Sequence, residues 1–119
     1  MEIPKIFESE YRFCLILWDN EPVNSTKLVE LCKVQLGWSK ATTYTVIRRL
    51  SERGVVKNEN ATVTALISKE EAQKHRLEEM VEETFEGSMP AFIAAFSKSK
   101  RLTKNEVEQL QALIDNFQE

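Results

Sequence analysis

Histidine, glycine and cysteine are scarce in this chain, and their scarcity excludes several kinds of site. The 119 residues include one histidine, three glycines and two cysteines. A lone His75 cannot supply a histidine-based metal cluster within one chain, and three separated glycines form no glycine-rich phosphate loop. Cys14 and Cys32 lack CxxC spacing, and each lies inside an apolar helical pattern. We therefore predict two reduced core cysteines, no metal site and no cofactor.

Long apolar runs and catalytic constellations are also missing. No stretch approaches the roughly 20 apolar residues needed to cross a bilayer, and the N-terminus lacks a basic stretch followed by an apolar h-region. We predict no membrane insertion and a cytoplasmic location. The sequence offers no clustered acid/base pair and no nucleophile beside a base, so we predict that the protein is not an enzyme.

The charge is unevenly distributed along the chain. The net charge is −3, but residues 1–67 carry nine basic and eight acidic side chains, whereas residues 68–119 carry seven and eleven. Residues 33–57 contain six basic side chains and only one acidic side chain, Glu52. DNA affinity depends on the face that meets the phosphates rather than on the total charge. The distribution therefore permits DNA binding by the first part of the chain.

Three amphipathic helices and a hairpin are predicted in residues 1–67. The first helix is expected from about Glu8 to Trp18, the second after the capping pair 24–25 and the third after Ser39. Their apolar stripes are Tyr11, Cys14, Leu15 and Trp18; Leu28, Leu31, Cys32 and Leu36; and Thr43, Val46, Ile47 and Leu50. β-Branched runs at 55–57 and 61–67, separated by a turn at 58–60, indicate a β-hairpin. This order is typical of a winged helix-turn-helix DNA-binding domain.

Residues 68–119 predict three more amphipathic helices. A capping box at 68–71 begins the first, which Gly87 ends; Ser88 begins the second, and Thr103 caps the last after a polar break at 97–101. Three helices in so small a segment cannot bury three apolar stripes on one another alone. A second copy in two-fold symmetry is the economical partner; the alternative is that these helices fold back on the first domain. The predicted dimerisation residues are Leu77, Met80, Val81, Phe85, Met89, Phe92, Ile93, Phe96, Val107, Leu110, Leu113 and Ile114.

The fold class is therefore mostly α with a small β-hairpin: a winged helix-turn-helix domain followed by a helical dimerisation arm. In the third helix, the side opposite the apolar stripe carries hydroxyl and guanidinium groups, which suit base edges and phosphates in a major groove. The wing tip Asn58-Glu59-Asn60 is acidic, so we expect little contact from it beyond Lys57. The candidate DNA-binding residues are Lys40, Thr42, Thr45, Arg48, Arg49, Arg53 and Lys57.

Several motifs, in order and spacing, resemble the penicillinase-repressor family of bacterial transcription regulators, which includes beta-lactamase, methicillin-resistance and copper-responsive repressors. Those motifs are Glu10-Tyr11, Leu17-Trp18, Gly37-Trp38-Ser39, Thr42, Thr45, Arg49-Leu50, Gly54, Ile67-Ser68-Lys69-Glu70-Glu71, Gly87-Ser88, Phe92-Ile93, Phe96, Leu102-Thr103, Glu106 and Leu110. The resemblance covers nearly the whole chain. It implies a homodimer bound to double-stranded palindromic operator DNA, with DNA contacts at Thr42, Thr45 and Arg49.

The chain departs from that family in several places. Ala41 and Tyr44 stand where the family has basic residues, which implies a different or weaker base readout. Some members are inactivated by a membrane sensor protease that cuts an Asn-Phe bond in the arm; the matching bond here is Ala95-Phe96. The tail lacks the CxC pairs of copper-responsive members.

Two other functions remain open from sequence. The acidic wing is compatible with a winged-helix adaptor or anti-regulator that contacts protein without sequence-specific DNA binding. Alternatively, a repressor arm could bind a small ligand near Met89, Phe92 and Phe96, although such a stripe is more often core. Strong salt dependence of duplex binding would distinguish a repressor from an adaptor.

Overall fold

The computed structural model describes residues 3–99 and 101–117. It divides into two compact units, Met1–Arg76 and Leu77–Glu119. The boundary between them falls inside a helix, because the first turns of α4 belong to the first unit. The elements in chain order are α1 (Glu8–Asn20), β1 (Val23–Asn24), α2 (Ser25–Leu36), α3 (Lys40–Glu52), β2 (Val56–Glu59), β3 (Thr62–Ala65), α4 (Lys69–Phe85), α5 (Met89–Ser99) and α6 (Lys104–Asp115). Mostly α architecture with a winged helix and further C-terminal helices is thus confirmed.

Helix α1 buries a different face from the predicted one. Its fully buried apolar residues are Phe13, Cys14, Ile16 and Leu17, whereas Tyr11, Leu15 and Trp18 are only half-buried. The single-stripe prediction was wrong because α1 packs on two sides. One side meets the core; on the other, the Trp18 indole donates to the Ile67 carbonyl (3.0 Å), and Gln73 in α4 donates to the Tyr11 hydroxyl (3.3 Å).

The predicted caps of α2 and α3 are confirmed. Asn24 accepts a hydrogen bond from the Thr26 amide, and Ser39 accepts one from the Thr42 amide, so each satisfies an orphan N–H of its helix. Gly37 ends α2 in the left-handed region with φ 71°, which glycine adopts without a Cβ clash. The tight connection places α3 immediately after α2, as a helix-turn-helix requires.

The hairpin is confirmed, but its turn comes later than the predicted 58–60, because Asn58 and Glu59 belong to β2. A third strand joins it. β2 and β3 pair with Glu59 opposite Thr62, so the turn consists of Asn60 and Ala61, both with positive φ, the conformation of a type I′ hairpin turn. Strand β1 pairs with β3, giving the sheet order β1-β3-β2. Two residues are too few to show strand periodicity, which is why the sequence did not reveal β1.

One hydrophobic core holds the first unit together. It joins the inner faces of α1, α2 and α3 to the sheet, and its members are Phe13, Cys14, Ile16, Leu17, Val23, Leu28, Cys32, Val46, Ile47, Leu50, Val55, Val56 and Val63. Both cysteines are free and buried, which confirms their core role. Burial raises the pKa of the Cys14 thiol to about 12 and that of Cys32 to about 11, because a thiolate would lose its hydration there.

The second unit contains the end of α4 together with α5 and α6. Phe92 in α5 packs edge-on against Phe85 in α4, with ring centroids 5.7 Å apart, and Val81 is 6% exposed. Thr103 and Glu106 form the predicted capping box of α6. Neither α5 nor α6 contains a buried residue. The unit thus buries a small apolar cluster around Val81 and leaves most of the apolar side chains of α5 and α6 partly or fully exposed.

The polar break after α5 begins later than predicted. Ser97 and Ser99 lie inside α5 and donate to the carbonyls of Ile93 (2.8 Å) and Phe96 (3.1 Å). Their hydroxyls bond back to the helix backbone, so these residues do not end it. Lys100, in the same predicted break, lies outside the described residues. In residues 3–99 and 101–117, no helix is long and apolar enough to span a membrane.

Candidate nucleic-acid interface

Helix α3 has one buried face and one exposed polar face. Its stripe Thr43, Val46, Ile47 and Leu50 is buried, as predicted. The opposite side exposes Ala41, Thr42, Arg48, Arg49 and Glu52, with Thr45 half-buried beside them. The core on one side therefore fixes which side chains a groove could meet on the other.

The hydroxyl of Thr42 takes part in the N-terminal cap of α3. Its oxygen accepts a hydrogen bond from the Ser39 hydroxyl (3.0 Å), while the Ser39 oxygen accepts from the Thr42 amide (3.1 Å). Since the oxygen of Thr42 already accepts, its own hydrogen is available to an outside acceptor. A phosphate oxygen or a base acceptor such as guanine O6 would satisfy it.

Arg48 and Arg49 project from the middle of the exposed face. In the ranges 3–99 and 101–117, neither guanidinium is held in an ion pair. Lys40 at the start of α3 is also exposed. A free guanidinium keeps its full set of donors for a guanine edge or a phosphate, so these two arginines form the most cationic part of the face.

Arg53 has a role that its sequence position did not reveal. Its guanidinium forms an ion pair with Glu10 of α1 and donates to the Lys5 carbonyl (2.7 Å). It also lies 5.3 Å from the ring centroid of Phe7. These internal partners use two of the five guanidinium N–H donors and hold the side chain against α1, so a phosphate contact by Arg53 stays only a prediction. Glu10 was missed because its partner is distant in sequence.

The wing presents a neutralised pair at its tip. Lys57, the predicted wing contact, lies 3.2 Å from the Glu59 carboxylate, and both side chains are exposed. An exposed pair of this kind is weak, so Lys57 can still turn outward. The carboxylate beside it nevertheless opposes the approach of phosphate.

Tyr44 connects α3 to the start of α2. Its hydroxyl donates to the buried Ser25 hydroxyl (3.2 Å), and the Ser25 amide donates to the Ala61 carbonyl in the wing turn (2.7 Å). The half-buried tyrosine therefore supports the helix-turn-helix and the wing from inside.

The predicted dimerisation residues fall into two groups. Within the second unit, Val81 is buried, and Met80, Phe85, Phe92 and Leu110 are half-buried. The rest are exposed large apolar side chains: Leu77, Met89, Ile93, Phe96, Val107, Leu113 and Ile114. An open groove on α6 is lined by Gln109, Ala112, Leu113 and Asn116. Val81 thus packs within the unit, while the second group leaves apolar surface uncovered.

The Ala95-Phe96 bond lies inside α5 rather than in a loop. Phe96 packs against Phe92 with ring centroids 6.2 Å apart. In the described part of the chain, no group of three His, Cys, Asp or Glu side chains could hold a metal ion.

Sequence comparisons agree with this architecture. The profile described as penicillinase repressor matches residues 6–116. The chain belongs to the penicillinase repressor family. It is thereby a winged-helix DNA-binding transcriptional regulator.

Individual relatives of this family are similar over nearly the full chain. The methicillin resistance regulatory protein MecI of Staphylococcus aureus strain Mu50 is 21% identical over 93% of this chain and 94% of its own length. That of Mammaliicoccus sciuri is 20% identical over the same shares. An uncharacterised 16.5 kDa protein of Latilactobacillus sakei is 27% identical over 92% of this chain and 78% of its own length.

Proposed function

We propose that the protein is a homodimeric transcriptional repressor that binds a palindromic operator and releases it on an inducing signal. The exposed face of α3 carries this proposal, because it sets Thr42 and two arginines, Arg48 and Arg49, which form no ion pair within residues 3–99 and 101–117, opposite a buried stripe. Lys40 and Thr45 complete the proposed contact set, with Lys57 as a weaker contribution from the wing. Arg53 is left out, since Glu10 holds its guanidinium.

Dimerisation through residues 68–119 rests on the open apolar surface of the second unit. Leu113 and Ile114 are neighbouring large apolar side chains on α6, and they are 70% and 66% exposed. A second copy would cover these residues together with those of α5 and remove them from water. Residues 1–67 would bind DNA, while the first turns of α4 pack on α1 as the root of the arm.

Two-fold pairing would present two copies of α3 to successive major grooves. Half-sites would then be spaced by one helical turn, about 34 Å. Two tethered domains bind far more tightly than one, because the second contact is intramolecular. Occupation of an operator that overlaps a promoter would exclude polymerase, and loss of pairing would restore transcription.

Cleavage at Ala95-Phe96 by a membrane sensor protease is one way to release the operator. A protease needs an extended strand, so α5 must unwind locally before this bond is cut. No residue of α5 is buried in the unit, and a segment with few buried contacts opens at low cost. Cutting there would separate the apolar residues of α6 from the DNA-binding domain.

A protein-contact adaptor is the second candidate function. The Lys57–Glu59 pair favours it, because it leaves the wing tip without net positive charge. An adaptor would bind duplex DNA weakly, with no sequence preference. The polar face of α3 would then meet another protein.

Selection of genomic fragments by the purified protein separates these two functions. The chosen duplex, or the protein's own upstream promoter, is then titrated by fluorescence anisotropy at two salt concentrations with excess nonspecific competitor. A repressor gives specific binding that weakens steeply with salt, because each phosphate contact releases counterions. Failure to enrich any sequence, together with weak competed binding, would overturn the repressor proposal in favour of the adaptor.

A further inference from the structure

The start of α1 and the end of α3 are joined by an internal ion pair. Glu10 is 5% exposed, and its carboxylate oxygens divide between two partners: one accepts from the Phe7 amide (2.9 Å), the other from Arg53. Arg53 in turn donates to the Lys5 carbonyl (2.7 Å). One guanidinium thus binds two points at the beginning of the chain's first helix.

The backbone of Arg53 is fixed to α3 as firmly as its side chain is fixed to α1. Its amide donates to the Arg49 carbonyl (3.2 Å), and it is the C-cap residue of the helix. After Gly54, with φ 80°, the Val55 amide donates to the Leu50 carbonyl (2.8 Å). The last turn of α3 is therefore closed around the residue that carries the anchor.

The anchor lies one helical turn from Arg49. Residues four apart project from the same side of a helix, so Arg49 and Arg53 start from the same side of α3 but their side chains have different surroundings. Arg53 turns inward to Glu10, while Arg49 remains exposed. A change in the Glu10–Arg53 pair would therefore move or loosen the turn that displays Arg49.

We propose that Glu10 and Arg53 are positioning residues, which set the C-terminal turn of α3 for DNA without touching DNA themselves. This inference rests on the proposed function of α3 as a DNA-reading helix. Readout of base edges depends on small displacements of a side chain, so it suffers first when the turn loosens. Electrostatic attraction to phosphates tolerates such displacements, so nonspecific DNA affinity should change little.

Three full-length variants test this role: Glu10→Gln, Arg53→Met and the double change. Glu8→Gln is the matched control, because Glu8 forms a similar pair on the same helix but with Arg76 (2.9 Å), away from α3. Each protein is first shown to be folded at the assay temperature by thermal unfolding. Specific affinity, nonspecific affinity and salt slope are then measured on the duplex that the wild type selects.

Positioning predicts that Glu10→Gln lowers specific affinity by roughly fivefold while nonspecific affinity and the salt slope stay unchanged. Arg53→Met should have a similar effect, and the double variant should lose little more, since both changes break one pair. If Arg53 instead contacts phosphate, Arg53→Met reduces the salt slope by about 0.9, and Glu10→Gln binds as well as or better than wild type. That pattern would overturn the inference, as would equal losses of specific and nonspecific affinity.

Hydrogen exchange without DNA keeps this inference distinguishable from the proposed function. Glu10→Gln should speed exchange of the last-turn amides of α3, Arg49 to Arg53, by roughly tenfold relative to Glu8→Gln. Unchanged exchange at those amides would show that the pair does not hold the turn, whatever the DNA results. Faster exchange in a protein that selects no DNA would instead refute the proposed function, and the DNA-positioning role would fall with it.

Discussion

The two units of this protein treat their apolar residues in opposite ways. The first unit gathers thirteen of them into one core that spans three helices and a sheet. The second unit buries Val81, leaves α5 and α6 without a buried residue, and exposes Leu113 and Ile114. The first unit thus encloses its core, whereas the second leaves apolar surface exposed. Under the proposed function, this difference assigns DNA binding to the first unit and pairing of protomers to the second.

The largest expected effect is loss of the first unit's core. Leu50→Ala removes a fully buried side chain beneath the exposed face of α3, and should destabilise the unit by about 2–5 kcal/mol. Chemical denaturation measures it. Leu66→Ala, at a 53% exposed position in the same unit, should change stability by less than about 0.5 kcal/mol. Equal effects would mean that the core has been misassigned.

Self-association of the protein should depend on the second unit alone. Leu113→Asp places a carboxylate on the open surface of α6, and should weaken self-association by roughly a hundredfold, because a charge buried at an interface is costly. Sedimentation equilibrium gives the association constant. Val34→Asp is the control, since Val34 is 84% exposed in the first unit. This variant should leave the association constant unaltered. An unchanged mass for Leu113→Asp would place the interface elsewhere.

DNA reading should depend on the exposed face of α3. Arg49→Ala removes a guanidinium that no carboxylate holds in the described part of the chain, and should reduce operator affinity about tenfold while the dimer stays intact. Anisotropy titration checks it, alongside Arg12→Ala, which removes an exposed arginine of α1. Normal operator affinity after Arg49→Ala would remove Arg49 from the site.

Alkaline pH should destabilise the first unit selectively, since both thiols lie there. The pKa of Cys14 is raised to about 12 and that of Cys32 to about 11, from 9.0. The folded unit therefore keeps protons that the unfolded chain loses above pH 9, so the free energy of unfolding declines from pH 9 until the folded thiols titrate, at about pH 11 for Cys32 and about pH 12 for Cys14. Denaturation at stepped pH measures the decline, and alanine replacement of Cys14 should flatten it. A pH-independent midpoint would contradict the burial of the thiols.

The smallest expected effect is a gain. Glu59→Gln removes the carboxylate 3.2 Å from Lys57, and should raise DNA affinity about two- to threefold at low salt. Anisotropy detects it. Glu83→Gln removes the same charge from α4 in the second unit and is expected to change affinity less. A larger gain from Glu83→Gln would mean that net charge, not the wing, limits binding.

Local chemistry made much of this fold predictable. Asn24, Ser39 and Thr103 cap helices because their side chains satisfy free N–H groups at short range. The buried stripe of α3 was predictable because that helix buries only one side. Helix α1 is covered on two sides, so its apolar pattern predicted the wrong buried face. Strand β1 is too short to show a period.

The site was predictable only in part, for a similar reason. Exposure of Arg48 and Arg49 follows from helical geometry and a known stripe. The pairing of Arg53 with Glu10 depends on how α1 and α3 pack, and no local rule contains that information. The Tyr44–Ser25 hydrogen bond escaped prediction because it, too, forms only after α2 and α3 meet.

The stoichiometry of the protein on its selected duplex tests the division of tasks most directly. Sedimentation velocity of the saturated complex gives its mass, and the account predicts two protomers per duplex for the wild type. The same experiment on Leu113→Asp should show specific binding only at much higher protein concentration. A saturated wild-type complex with a single protomer, as tight as before after Leu113→Asp, would contradict the claim that the open second unit pairs two DNA-reading domains.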